Sequence, residues 1–509
     1  MTIKIIGTSS STQELLALER KAREFIDSQL GQPIPMDYHY PFEEDLESFL
    51  SGIFNTLIQV IGPELIYGRL YDKIGYGGIN NEMFRHLVIC RLFNPGSKLR
   101  TVEYLRQYLN KGYDVETIYK FLDNLCFRKD KDGKKDASGK VIKPCGNDIK
   151  HDVERISYAY TKKICGSEIS VVFYDMTTLY FEAAQEDDLR KTGFSKDGKH
   201  SCPQIFLGLL VTTGGNPIGY GVYEGNIHEG KTLVPMIKDL AGRHGFDHPV
   251  VIADAGLLSK KNIEDLESEK YEYILGARGK SETAEVKEAT LGMNLNNGDV
   301  RCIDKANGVK LIVSMSDKRA AKDEAMRKKG LQRLEKHFQS GKLTKANVNN
   351  RGYNKYLKMD GDVSVTIDMD KYNADAAWDE IKGYVTNTQL SDAEVIFNYS
   401  NLWFIESVFR MNKGDLRARP IYHRLHNRIE AHICICFTAY TIMLELEREL
   451  LKAAKSDITL YQAGRLTKNM YQLNYKMPNS LRTKSVILQM DSKQKELYDI
   501  VMQNDAKKE

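Results

Sequence analysis

Val171-Val172-Phe173-Tyr174-Asp175 and Val250-Val251-Ile252-Ala253-Asp254 are two short apolar runs that each close on an aspartate. Runs of this length, rich in β-branched and aromatic residues, read as buried strands. Two more lie between them, at residues 204–213 and 217–224, joined by Gly214-Gly215-Asn216. A short Gly/Asn connection between strands signals a hairpin, hence an antiparallel pair. Helical spacing follows over 232–243, then strand 249–254, helix 259–269 and strand 271–277. A leading hairpin followed by alternating strands and helices predicts a mixed sheet flanked by helices, an α+β fold.

A third acid completes a pattern. Glu406 lies in Leu402-Trp403-Phe404-Ile405-Glu406-Ser407-Val408-Phe409-Arg410, with Lys413 seven residues on. Ser391-Asp392-Ala393-Glu394 is a capping box, and the helix it starts is expected to run to Asn412. Steps of three and four then align Val395, Tyr399, Leu402, Glu406, Phe409 and Lys413 on one stripe. A Glu and a Lys in an otherwise core-facing stripe mark a functional site. Two acids at strand ends and one on a late helix suit a pair of hard divalent cations over a phosphodiester. A lone strand-end aspartate is usually a turn residue; the three together carry the signal.

The wider chain sets limits. At 509 residues it is too long for one core. Hydrophobic content of 42% and 28% charged residues describe a globular chain. The net charge is only +4, yet residues 317–358 hold 13 Lys/Arg against four Asp/Glu. That block suits a polyanion or is simply a solvated helix face. The eight cysteines include no Cys-x2-Cys pair, which removes a zinc ribbon and fits a reducing cytosol. The start lacks a signal-peptide core, and the apolar run 431–446 reads as a core helix. A cytoplasmic protein without a membrane partner is expected.

Residues 1–150 read as a helical N-terminal region, with helices at 11–30, 42–61, 81–92 and 113–125. Lys98, Arg100, Arg106 and Lys111 give it a basic edge, suited to a DNA contact or a scaffold. Residues 129–150 read as a polar loop. The catalytic core is expected at 151–280 and 389–450, a β-rich insertion with the basic helix 318–338 at 281–388, and a helical C-terminal region at 451–509.

A competing motif is Gly225-Asn226-Ile227-His228-Glu229-Gly230-Lys231-Thr232, which fits the phosphate-loop pattern G-x4-G-K-[ST]. It would make the chain an NTPase with 250–254 as its metal-binding strand. Glu229 would repel the phosphates, the preceding strand reads as part of a hairpin, and Asp175, Glu406 and Lys413 would be left without a role.

The three acid blocks resemble the DDE transposases of bacterial insertion sequences. Those enzymes share an RNase-H-like core with a long β-rich insertion before the last acid. Their last motif, Tyr-x2-Arg-x3-Glu-x6-Lys, is matched here by Tyr399, Glu406 and Lys413, with Leu402 in place of arginine. Tyr174 to Thr178, Asp254 to Leu257, Gly225-Asn226, Lys231-Thr232-Leu233, Lys413-x2-Leu416-x2-Arg419-Pro420 and Ala431-His432 are also similar. The resemblance covers residues 80 to 450. It implies metal-dependent DNA cleavage and strand transfer of the cut-and-paste type. Asp175, Asp254 and Glu406 would ligate two Mg2+ ions, with Mn2+ as a substitute. Tyr399 and Lys413 would contact phosphates, and Arg410 would stand in for the missing arginine. Trp403 would stack on a displaced base, although core packing is the commoner fate of a tryptophan. The implied partner is double-stranded DNA, both terminal inverted repeats and target, bound by a homodimer at the bacterial nucleoid. The alternative from the same resemblance is a DNA-binding descendant that has lost activity. His200 and His228 read as loop residues, His432 as a satisfied core histidine, and Asp187 and Asp188 as loop solvation.

Overall fold

In the computed structural model of this protein the residues described are 5–30, 50–51, 58–126, 149–166, 168–183, 185–196, 198–245, 248–341, 343–349, 352–360, 364–379, 381–476 and 483–502. The chain divides into two compact units. The smaller, Met1–Gln59 with Tyr471–Gln489, contains the helix Thr12–Leu30 and an antiparallel strand pair, Tyr471–Lys476 with Thr483–Ile487. The larger, Val60–Met470 with Met490–Glu509, contains the main sheet and the candidate site.

Its centre is one eight-stranded sheet. We number the strands β1 Val171–Tyr180, β2 Gln204–Val211, β3 Pro217–Glu224, β4 Val250–Ala253, β5 Tyr273–Ala277, β6 Val300–Asp304, β7 Lys310–Met315 and β8 Ile381–Thr386. Their spatial order is β3-β2-β1-β4-β5-β8-β7-β6. β2 runs antiparallel to both β1 and β3, while β4 runs parallel to β1 and β5 parallel to β4. A three-stranded meander continued by two parallel strands is the RNase-H-like sheet, and the chain has that mixed α+β fold. Every residue of β2 is buried, as expected of an interior strand that reads apolar throughout.

The parallel steps require crossover connections, which helix α2, Leu233–His244, and helix α3, Lys260–Ser268, provide. With α1, Ile149–Ile164, they cover the face bearing Tyr174, Met176, Leu210, Ile218 and Leu275. The segment between β5 and the last site helices is not a separate layer throughout. β8 pairs antiparallel with β5 and β7, so the inserted strands extend the sheet and cover the β5 edge. The basic helix α4, Asp317–Gln339, packs instead over a small core of its own: Leu334, Tyr356, Leu357, Val365 and Tyr372.

Two helices, α5 and α6, follow β8 and are described with the site. Helix α7, His426–Lys452, is long and apolar enough to cross a membrane, but 83% of its apolar window is buried inside the protein. It is the core helix expected from the sequence. Its two buried carboxylates, Glu445 and Glu449, each lie 2.8 Å from Lys73 Nζ.

Four local expectations are corrected. Strand β1 does not stop at Asp175 but runs to Tyr180, because Thr177, Thr178, Leu179 and Tyr180 keep pairing with β2. Residues 58–60, expected to end a helix, form a strand, while 42–49 and 52–57 lie outside the described residues. A helix at Lys98–Leu109, absent from the sequence reading, is capped by Ser97. The helix expected from 391 to 412 is two: α5, Asp392–Ser400, and α6, Trp403–Lys413. The polar stretch 129–150 lies outside the described residues except for its last two positions.

Candidate active site

The two aspartates meet through strand register. β1 and β4 are parallel neighbours, and their last paired residues are Tyr174 and Ala253. Asp175 and Asp254 each follow directly, so they lie side by side on adjacent strands, on one face, about 5 Å apart between backbones. β4 ends there, which leaves Asp254 exposed and opens the flank of Asp175.

Asp175 is half-buried. Burial pushes its pKa up from 3.8 to about 6, against the pull of Lys196 and of the Met176 amide. Its Oδ1 accepts from Met176 N at 2.7 Å and from Lys196 Nζ at 3.3 Å. The same ammonium donates to the Met176 carbonyl at 2.6 Å and lies 3.1 Å from Glu229 Oε1. Glu229 also reaches the second aspartate's loop, its Oε2 lying 3.3 Å from where a Cβ on Gly256 would sit. Lys196 is thus a cation held between two acids. Burial lowers its pKa, but the carboxylates of Asp175 and Glu229 outweigh that and raise it.

Neither Lys196 nor Glu229 stands out in the sequence as a site residue. They sit in loops far apart along the chain, tied by Gln204. Its buried amide donates to the Phe194 carbonyl at 2.7 Å and to the Gly225 carbonyl at 2.9 Å. Gly225 must be glycine, since a Cβ there would fall 1.9 Å from the Gln204 carbonyl oxygen.

Tyr399, expected to contact a phosphate, is buried as a residue, and its hydroxyl donates to Asp254 Oδ1 at 3.1 Å. Gly276 on β5 makes room for it: a Cβ at that position would lie 2.4 Å from the hydroxyl oxygen. Tyr384 of β8 packs edge-on against the same ring, and Lys382 Nζ stands 4.5 Å above it. From Lys382 and Tyr384 a cleft of about 570 Å³ opens, lined also by Lys318, Lys322, Ser314 and Ser316. Lys318 and Lys322 come from the basic block. Arg327 and Lys355 of that block are engaged within the insertion, with Asp379 and Asp375.

The break between α5 and α6 has a local cause. Ser400 Oγ donates back to the Phe397 carbonyl at 2.7 Å, and Leu402, Phe404 and Ile405 donate three residues back rather than four. Tyr399 and Glu406 therefore do not share a stripe. Within α6, Ile405, Val408, Phe409 and Asn412 are buried. Trp403, Glu406, Arg410 and Lys413, spaced by three, four and three, share the other face. Phe404 packs edge-on against Phe173, ring centres 6.4 Å apart. Phe173 shares its strand face with Asp175, so α6 lies on the aspartates' side of the sheet. Trp403 is 53% exposed and rests on Phe404, rather than packing into the core.

Two of the three expected acids are thus brought together and the third is brought only to the same side. Among the described residues no group of three Asp, Glu, His or Cys side chains is close enough to hold one metal ion. The aspartate pair does fit a divalent cation, as hard oxygen donors at a place where Asp175 and Glu229 already stabilise the positive charge of Lys196.

The phosphate-loop pattern has no matching geometry. The strand before it, β3, is antiparallel to its neighbour. Its loop amides are engaged internally: Gly230 N donates to His228 Nδ1, Lys231 N to the His228 carbonyl. Thr232 is fully buried, its hydroxyl bonded to Tyr174 at 2.8 Å and to the Glu229 carbonyl at 2.7 Å. His200 and His228 are loop residues, as expected. Asp187 caps its own loop through the Leu189 and Arg190 amides.

Residues 166–442 match the transposase DDE domain family. No curated protein matches the chain. Among solved structures, the piggyBac transposase synaptic complex with hairpin DNA is similar at 11% identity and TM-score 0.38, over 80% of this chain and 76% of that one. The Mos1 transposase paired-end complex with left transposon end is similar at 10% identity and TM-score 0.16, over 52% of this chain and 68% of the other. Both are distant likenesses, and the family match alone carries the assignment.

Proposed function

The chain belongs to the transposases that carry a DDE domain, and from that premise we propose that it cleaves DNA at the ends of a mobile element and joins the freed 3′ strand to target DNA. The observation that carries this reading is the register of β1 and β4, which sets Asp175 beside Asp254 on one open face. Asp175, Asp254 and Glu406 would hold two Mg2+ ions, or Mn2+ in their place, with α6 approaching the sheet to complete the set. Bound there, the metal pair would activate the attacking oxygen and stabilise the leaving one.

The chain's own groups position the substrate. Tyr399 fixes the Asp254 carboxylate, and Lys196, held by Glu229, keeps the half-buried Asp175 ionised. Lys413 and Arg410 contact phosphates from the exposed face of α6, and Trp403 stacks on an unpaired base. The cleft at Lys318, Lys322 and Lys382 receives the strand beyond Asp254. A homodimer assembled on paired element ends, acting at the nucleoid in the cytoplasm, fits this chemistry. Leu402, at the N-terminus of α6, leaves out the usual arginine, and this favours a DNA-binding, inactive descendant as the second reading. Incubation of the full chain with an element-end duplex, a plasmid target and Mg2+ separates the two. Joined product supports the proposal; specific end binding without any joining supports the descendant.

A further inference from the structure

Away from the aspartates, a second charged site lies where three helices and one loop meet. Lys98 is the first residue of the helix Lys98–Leu109, whose free amides make that end positive. Its side chain is 6% exposed and has neither a hydrogen-bond acceptor nor a carboxylate partner among the described residues. Arg91, 7% exposed, lies in the last turn of the preceding helix, Glu82–Phe93, and also lacks a carboxylate partner among the described residues. Its guanidinium Nη2 lies 3.5 Å from His432 Nδ1. His432 Nε2 lies 3.0 Å from the Ala418 carbonyl, which fixes the hydrogen on that nitrogen and leaves Nδ1 as an acceptor. The His423 ring stands 5.6 Å from that of His432. Among the described residues the carboxylate that acts on His423 is Asp123, and Arg428 already takes it with two bonds of 2.7 and 2.8 Å.

An arginine stays protonated in a protein, and a buried charge without a counter-charge opposes folding. The surroundings register the excess. Burial and Arg91 pull the Lys98 pKa down to about 7, and burial with Lys98 and Arg91 pulls His423 down to about 3. Arg91 and Lys98 together hold buried positive charge that no acid among the described residues neutralises.

We propose that Arg91, Lys98 and the N-terminus of the Lys98–Leu109 helix, backed by His423 and His432, form a binding site for a phosphate group. The guanidinium offers a two-pronged donor to phosphate oxygens, the ammonium a point charge, and the helix end its free amides. Exposed Arg100 and Arg106 continue positive charge along the same helix. On the transposase reading, the occupant is therefore a backbone phosphate of bound DNA; free inorganic phosphate shares the chemistry.

The test uses the full chain, with inorganic phosphate titrated against chloride at matched ionic strength. Phosphate should broaden its 31P resonance on the wild type and raise the unfolding temperature. Arg91→Met and Lys98→Met should abolish both effects, and Lys98→Arg should retain them. The wild-type resonance decides occupancy even if a variant fails to fold. An element-end duplex then identifies the source. If DNA is the occupant, it suppresses the phosphate broadening, and Lys98→Met lowers the log–log salt slope of DNA binding by about one. If DNA leaves the broadening intact, the site takes free phosphate. A wild type indifferent to phosphate, or methionine variants that respond as the wild type does, overturns the site. Phosphate binding in a chain that binds no DNA would leave the site standing and sink the transposase reading.

Discussion

Gly276 and Tyr399 make a coupled pair that tests how Asp254 is held. A Cβ at position 276 would sit 2.4 Å from the Tyr399 hydroxyl oxygen, 2.9 Å from Ala255 N and 3.2 Å from Ala255 Cβ. In Gly276→Ala the hydroxyl must retreat by about an ångström to restore ordinary van der Waals separation, which breaks its 3.1 Å bond to Asp254. Overpacking of this kind costs about 1–3 kcal/mol. Tyr399→Phe deletes the same bond without a clash, at about 1 kcal/mol for a bond whose acceptor is exposed. In the double variant the oxygen that caused the tightest approach is gone, and the methyl meets only the Ala255 backbone and side chain. The two costs should therefore not add: we expect the double variant to be more stable than their sum by about 1–2 kcal/mol. Urea unfolding of the four proteins measures this directly, and end cleavage by the two single variants should fall by similar factors. Additive stabilities within error would refute the close approach of Tyr399 to β5 and with it the anchoring of Asp254.

Three further outcomes follow from the site. Because the folded pKa of Asp175 is raised from 3.8 to about 6, the native state binds this proton more readily than the unfolded chain does. Stability of the wild type is therefore lost as pH rises through that window, by about 3 kcal/mol at most for two pKa units. In EDTA, Asp175→Asn should unfold at a higher temperature than wild type above pH 6, with the gap closing toward pH 4; a gap independent of pH refutes the assignment. Joint substitution of Lys318, Lys322 and Lys382 by Met should flatten the salt dependence of DNA binding, by about one unit of slope for each phosphate that is no longer neutralised. An unchanged slope removes the cleft from the DNA path. Trp403→Ala should leave the unfolding temperature unchanged, since the ring is exposed, while abolishing quenching of 2-aminopurine placed at the cleaved end. A large loss of stability would show that the ring is packing rather than waiting for a base.

What the sequence made legible was local. The apolar runs that end in Asp175 and Asp254, the Gly214-Gly215-Asn216 turn and the Ser391–Glu394 capping box each declare themselves within a few residues, and the sheet follows from their order. The aspartates were legible for the same reason. What was hidden depends on segments distant along the chain. Lys196 and Glu229 converge only because Gln204 clasps two loops, and Arg91, Lys98 and His432 meet only because α7 returns to the N-terminal helices. The break at Ser400–Leu402 is silent in the sequence because helical spacing continues through it, while a serine hydroxyl competes for the backbone carbonyls. Without that break Tyr399 would project beside Glu406 instead of reaching Asp254. Trp403 stays outside because Ile405, Val408 and Phe409 already bury the opposite face of its helix.

The proposed joint action of Asp175, Asp254 and Glu406 on a phosphodiester is open to direct test. Its most direct measurement is strand-specific nicking of a labelled element-end duplex in Mg2+ or Mn2+, by wild type and by Asp175→Ala, Asp254→Ala and Glu406→Ala, with end binding measured on the same samples. The wild type should release a 3′-hydroxyl in a metal-dependent reaction, and each variant should do so on the order of a hundredfold or more slowly while retaining binding. Cleavage that survives loss of either aspartate, or that disappears only together with DNA binding, would contradict it.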